Sequence, residues 1–89
     1  MRPAHTRHRK DGNHVEIRNA LMAVGATVHE SDWVDLIAGY RGRTYLIEVK
    51  TARGGLRTSQ RTLRDTWRGQ YAIVRTTDEA LHVIGASVR

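Results

Sequence analysis

Asp35, Glu48 and Lys50 stand in an otherwise apolar stretch, and their spacing is the most informative chemical feature of the chain. The segments Val34 to Tyr40 and Arg43 to Lys50 flank Arg41-Gly42, a pair suited to a tight hairpin because glycine accepts positive φ. With those two residues as the turn, cross-strand partners carry numbers that sum to 83, so Tyr40 faces Arg43, Ile37 faces Leu46 and Asp35 faces Glu48. Directly opposed side chains on antiparallel strands lie ~4.5–5.5 Å apart at Cβ, where like charges repel. A compensating cation is therefore expected. Lys50 lies two residues beyond Glu48 and shares its face, while Tyr45, Ile47 and Val49 alternate onto the other.

Two carboxylates at hairpin distance suit a hard divalent ion, with Mg²⁺ the usual choice and Mn²⁺ a tolerated substitute. Such an ion polarises a phosphoryl oxygen and acidifies a water. Lys50 then orients that water or offsets charge developing on the phosphoryl group. The competing role for the same residues is a structural ion pair between Lys50 and the carboxylates at a strand end.

The elements that must position these groups follow from periodicity and punctuation. Asn13, then Glu16, then apolar Ile17, Ala20, Leu21 and Val24 predict a capped amphipathic helix stopped by Gly25. Thr27 to His29 predict a short strand, Glu30-Ser31-Asp32 a turn, and the hairpin supplies two further strands. Thr58 or Ser59 is the expected cap of a second helix running to about Arg68, with Gly69 as its stop. Tyr71 to Arg75 is an apolar strand, and the spacing of Thr76 and Glu79 predicts a last short helix.

On the second helix Leu56, Gln60, Leu63 and Trp67 form one stripe facing the sheet, with Trp67 placed in the core. Gln60 there either holds a water or phosphate beside the acids or bonds a loop carbonyl as a buried amide. Arg57, Arg61, Arg64 and Arg68 repeat the same spacing ~100° around the helix and make a basic rail beside the packed face.

The rail belongs to a wider asymmetry. The 89 residues carry a formal charge of +6: residues 1–14 hold a net +3, with Arg2, Arg7, Arg9 and Lys10, residues 51–69 a net +4, with Arg53 joining the rail, and the rest nearly cancel. Because the excess is almost all arginine, whose planar guanidinium pairs with phosphate oxygens, nucleic acid is favoured as partner over a diffuse acidic surface, and a solvated basic face serving solubility is the competing reading. Residues 1–12 lack hydrophobic periodicity and are expected to form a flexible basic arm, leaving a single domain over 13–89. The chain has no cysteine, which excludes thiolate catalysis and cysteine-bound zinc. It has no apolar run near the ~20 residues of a membrane span and no signal-like leader, so a cytoplasmic location is expected. His5 and His8 read as part of the basic tail, and His14, His29 and His82 have no ligand spacing. A chain this short buries only roughly 60–65% of its unfolded surface, which makes a homodimer a plausible source of added stability.

The string Asp35-Leu36-Ile37, then Glu48-Val49-Lys50, preceded by a helix bearing Glu16, resembles the PD-(D/E)XK nuclease superfamily. Gly54-Gly55-Leu56 followed by Gln60 resembles, within it, the virus-type replication-repair nuclease (VRR-NUC) domain, related to Holliday-junction resolvases. The resemblance covers roughly residues 13–85. It implies an α/β fold with a mixed central sheet flanked by helices, a restriction-endonuclease-like αβββαβ core. It implies that Asp35 and Glu48 ligate Mg²⁺ with the Val49 backbone carbonyl, that Lys50 is the catalytic lysine, and that Gln60 is the polar residue following the motif. Glu16 corresponds to the first-helix acid, although it also stands where a capping-box glutamate would. The motif's proline is replaced by Val34, and Arg57 stands where a small hydroxyl residue is usual.

The expectation is thus a metal-dependent endonuclease acting on branched, junction or flap DNA, without an organic cofactor or a membrane, in a bacterial or phage-infected cell. The alternatives are a nuclease-like DNA-binding module without activity and a small basic RNA-binding protein.

Overall fold

A computed structural model describes residues 12–51 and 55–86. The order of elements is that expected from the sequence: α1 (Gly12–Ala23), β1 (Thr27–Glu30), β2 (Leu36–Tyr40), β3 (Arg43–Val49), α2 (Thr58–Thr66), β4 (Tyr71–Val74) and α3 (Thr77–Ile84). The expected basic arm lies outside the described residues except for Gly12, which already belongs to α1.

The fold is α/β, with an open, mixed sheet of four strands ordered β1-β2-β3-β4. The first three strands are antiparallel neighbours; β4 returns parallel to β3 after α2. The hairpin register is the one derived from the turn: Tyr40 pairs with Arg43, and Ile37 with Leu46. Arg41 (φ 52°) and Gly42 (φ 81°) both adopt left-handed backbone, the combination a two-residue turn of this twist demands. β2 begins at Leu36 rather than Val34, because the chain before it forms a turn in which the Ser31 amide donates to the Asp35 carbonyl at 3.4 Å.

Strand alternation divides the molecule into two faces. Leu36, Ala38, Tyr45, Ile47 and Val74 point to one side and meet Ile17 and Leu21 of α1 and Ala80, Leu81 and Ile84 of α3. Ile17, Leu21, Leu36 and Ile47 are fully buried, each stabilising the fold by about 1.5–3 kcal/mol. Leu46 and Glu48 point to the other side, where α2 lies, as the Gln60–Glu48 hydrogen bond shows. Strand β3 is therefore covered on both faces from Tyr45 to Glu48. The arrangement leaves one charged side chain in the centre of the sheet's second face.

The helix ends depart from expectation in instructive ways. Asn13 is not the cap of α1; it lies inside the first turn, and its Nδ2 donates to the Lys50 carbonyl at 3.0 Å. A tertiary acceptor has replaced the local capping bond, tying α1 to the end of β3. Gly25, at φ 99°, ends α1 as expected, with Gly25 and Ala26 donating back to Met22 and Leu21. The cap of α2 is Arg57, not Thr58 or Ser59, and it offers no side-chain acceptor. The helix stops at Thr66, two residues short of the expected end, so Trp67 leaves the packed stripe and is 41% exposed instead of joining the core. Thr76 caps α3 as expected, its hydroxyl accepting from the Glu79 amide at 3.1 Å.

Candidate active site

The hairpin ladder runs to Leu36–Ile47, and the next pair in the same register is Asp35 and Glu48. Both carboxylates are held by amides. Asp35 Oδ2 accepts from the Val49 N–H at 2.8 Å, and Glu48 Oε1 accepts from Gln60 Nε2 at 3.2 Å. Gln60 is itself fixed, because its Oε1 accepts from the Arg57 backbone N–H at 3.0 Å. That bond is half of a capping box, so one buried glutamine closes the start of α2 and orients the central carboxylate.

Glu48 is only 2% exposed. Burial, then the Asp35 charge and a hydrogen bond shared with Asp35, raise its pKa from 4.5 to about 7, with Lys50 acting in the opposite direction. Lys50 is half-buried, and its backbone is clamped on two sides: the N–H donates to Val74 at 2.9 Å and the carbonyl accepts from Asn13. Among the described residues no ion pair joins Lys50 to either carboxylate. The structural ion pair that competed with a metal site in the sequence is therefore not formed.

Tyr71 is a site residue that sequence reasoning missed. It opens β4 on the Glu48 side of the sheet, and burial together with the Glu48 and Asp35 charges pushes its phenol up to about 12. The buried hydroxyl lies within hydrogen-bonding influence of Glu48, but among the described residues no partner meets it in full hydrogen-bond geometry. An unpaired buried hydroxyl costs about 1–3 kcal/mol, so it is a donor available to a water or a phosphate oxygen. Only the parallel pairing of β4 brings it here, and that register is not encoded by a turn.

A pocket of about 240 Å³ opens over Glu48 and Gln60, with Asp32, Trp33, Arg57 and Leu63 among its walls. The sequence places Asp32 in a turn, and that turn carries it and Trp33 to the pocket. A wider, open groove of about 640 Å³ runs between β4 and α3, past Arg75, Asp78 and His82, away from the carboxylates. Size does not make it the better site, because it lacks the buried donor set.

The remaining expected site residues distribute unevenly. Arg57, Arg61, Arg64 and Arg68 are all exposed, Arg64 bonding Asp65 at 2.9 Å; because α2 ends at Thr66, Arg68 lies past the helix, and the expected rail is cut back to Arg61 and Arg64 on α2 with Arg57 at its cap. Arg7, Arg9, Lys10 and Arg53 lie outside the described residues. Glu16 is exposed on α1, and with Asn13 inside the helix it is not paired as a capping box. Nor does it join the pair: among the described residues no three Asp, Glu or His side chains converge on a point where a metal ion fits. Also among the described residues, no helix is long and apolar enough to cross a membrane.

No family model, curated protein or solved structure matches the chain.

Proposed function

We propose that the protein is a metal-dependent nuclease that hydrolyses DNA phosphodiester bonds, built on a restriction-endonuclease-like αβββαβ core of the PD-(D/E)XK type. The element order and the mixed sheet with β4 parallel to β3 support that core. The observation that carries the function is the Asp35–Glu48 pair, its glutamate buried and its aspartate half-buried, oriented by two amides and, among the described residues, ion-paired with no cation.

The donor set fits Mg²⁺ or Mn²⁺. Each carboxylate has one oxygen anchored by an N–H, the outer-sphere support that ligating carboxylates require, and keeps lone pairs for a ligand. Mg²⁺ is commonly held by only one or two carboxylates and otherwise by water and phosphate, so a third acidic side chain is not needed. Asp35, Glu48 and the Val49 carbonyl would hold the ion, which when bound would supply Lewis acidity toward a phosphoryl oxygen and lower the pKa of a water.

The chain does the rest. The Lys50 ammonium, its backbone held by β4 and α1, orients the attacking water and offsets charge on the phosphoryl oxygens. Water adds to phosphorus and the bond to one sugar oxygen breaks, giving a phosphomonoester and an alcohol. Gln60 keeps Glu48 in place, and the Tyr71 hydroxyl offers a hydrogen bond to water or phosphate. Glu16 stands outside this arrangement and takes no step in it. The arginine rail, with the N-terminal basic residues, holds the DNA backbone without reading sequence. Selectivity for branched, junction or flap DNA then comes from shape, and a two-fold homodimer presents two sites to one branched substrate.

The test is a panel of single-stranded, duplex, flap and four-way DNA with and without Mg²⁺ or Mn²⁺. Cleavage that appears only with the metal is the expected result. DNA binding without cleavage identifies an inactive binding module, and tighter binding of RNA than of any DNA identifies an RNA-binding protein; either outcome removes the nuclease.

A further inference from the structure

The two tryptophans of the chain meet at the rim of the pocket, and both are exposed: Trp33 by 56% and Trp67 by 41%. Their ring centroids are 5.5 Å apart with planes at 73°, an edge-to-face pair. They arrive from opposite sides. Trp33 sits on the β1–β2 connection two residues before Asp35, with its backbone N–H held by the Ser31 hydroxyl at 3.0 Å. Trp67 follows the last turn of α2, its N–H still bonded to Leu63 at 2.9 Å. Its indole lies over Gly69, where a Cβ would come within 2.7 Å of Nε1, so the absence of a side chain at 69 lets the ring lie in this place.

An exposed aromatic pair of this size, left in water by a protein with a thin core, is an unused binding surface. Its neighbours say for what. Trp33 walls the same pocket as Glu48, Gln60 and Arg57, and Arg61 and Arg64 are exposed on α2, the helix that Trp67 follows. An apolar π-face beside a basic rail matches a nucleobase whose phosphate lies on the arginines. A base inside a duplex is already stacked on both faces and cannot use it.

We propose that Trp33 and Trp67 form a stacking platform for an unpaired nucleobase adjoining the scissile phosphate, so that the substrate is DNA with a single-stranded nucleotide at the cut: a flap, a frayed branch or a single strand. This rests on the nuclease reading for the word "scissile", whereas the stacking itself stands on the tryptophans alone.

Because the chain has only these two tryptophans, its emission excited at the red edge of the absorption band, where the tyrosines do not absorb, reports on the platform. The full-length protein, in EDTA to prevent cleavage, is titrated with dye-labelled blunt duplex, flap and single-stranded DNA, with dye anisotropy measuring binding independently of tryptophan emission. Flap and single-stranded DNA are expected to quench the emission, and bound blunt duplex to leave it unchanged. Trp33→Ala is expected to weaken flap binding about tenfold, the loss typical of one stacked base, and to leave duplex affinity unchanged, with Trp33→Phe restoring most of it. An abasic nucleotide in the unpaired arm is expected to give the same loss in the wild type and no further loss in Trp33→Ala.

Equal quenching by blunt duplex, an unaltered flap preference in Trp33→Ala, tighter binding of single-stranded RNA than of DNA, or no DNA binding overturns the platform. The two readings fail separately. Quenching without Mg²⁺-dependent cleavage removes the nuclease and keeps the platform; cleavage with an unaltered flap preference in Trp33→Ala does the reverse.

Discussion

A glutamate 2% exposed and opposed by an aspartate works against folding unless it serves something else. The pKa of Glu48 is raised from 4.5 in the unfolded chain to about 7 in the folded one, so between these values the native state binds the extra proton. Its contribution to stability is complete below pH 4.5 and is lost as pH rises through 7. Glu48→Gln removes the slope while keeping an acceptor for Gln60. The variant is expected to be more stable than wild type at pH 8 without metal, on the order of 1–3 kcal/mol, and nearly equal to it at pH 5, by urea unfolding at the two pH values. It is also expected to lose Mg²⁺-dependent activity, and added Mg²⁺ should stabilise the wild type alone. At this scale the acid pair was legible because a two-residue turn fixes its register by counting. Tyr71 and Asp32 were not, because a parallel strand and a loop bring them to the pocket, and neither leaves a periodic trace in sequence.

The element that holds most of the site together is α2, which starts poorly. Arg57 occupies the cap without an acceptor of its own, and the cap-like bond among the described residues runs from the Arg57 N–H to Gln60. Arg57→Ser supplies the missing acceptor for the first-turn amides. It is expected to raise stability by about 1 kcal/mol in denaturant unfolding while weakening DNA binding, because Arg57 also walls the pocket. A variant that gains stability and keeps full DNA affinity would show that this arginine is there by accident. Sequence spacing located α2 and its inward glutamine correctly but misjudged both ends. Hydroxyls at 58 and 59 look like caps, yet the helix begins one residue earlier, where the Gln60 side chain closes the turn. The missing last turn explains why Trp67, placed in the core by periodicity, faces solvent instead. Asn13 makes the same point at α1: a good local cap was given up for a bond to Lys50 across the molecule.

For the molecule as a whole, the sheet divides labour between its faces. The side covered by α1 and α3 carries the apolar cluster, and the side covered by α2 carries the acids, the glutamine and the tyrosine. A chain of 89 residues thereby places its only buried glutamate between a small core and an arginine-lined surface. If the rail binds phosphates, replacing Arg61, Arg64 and Arg68 by alanine should reduce the slope of log affinity against log salt by roughly 0.9 per arginine on duplex DNA, with little effect on stability. Anisotropy titrations over a range of salt concentrations measure that slope, and an unchanged value would place the DNA elsewhere. The central claim is that Asp35, Glu48 and Lys50 form one hydrolytic site. It is tested most directly by comparing wild type with Lys50→Ala on the same flap and duplex DNA in Mg²⁺. The account predicts that cleavage falls by at least about a hundredfold while DNA affinity is retained; undiminished cleavage by Lys50→Ala would contradict it.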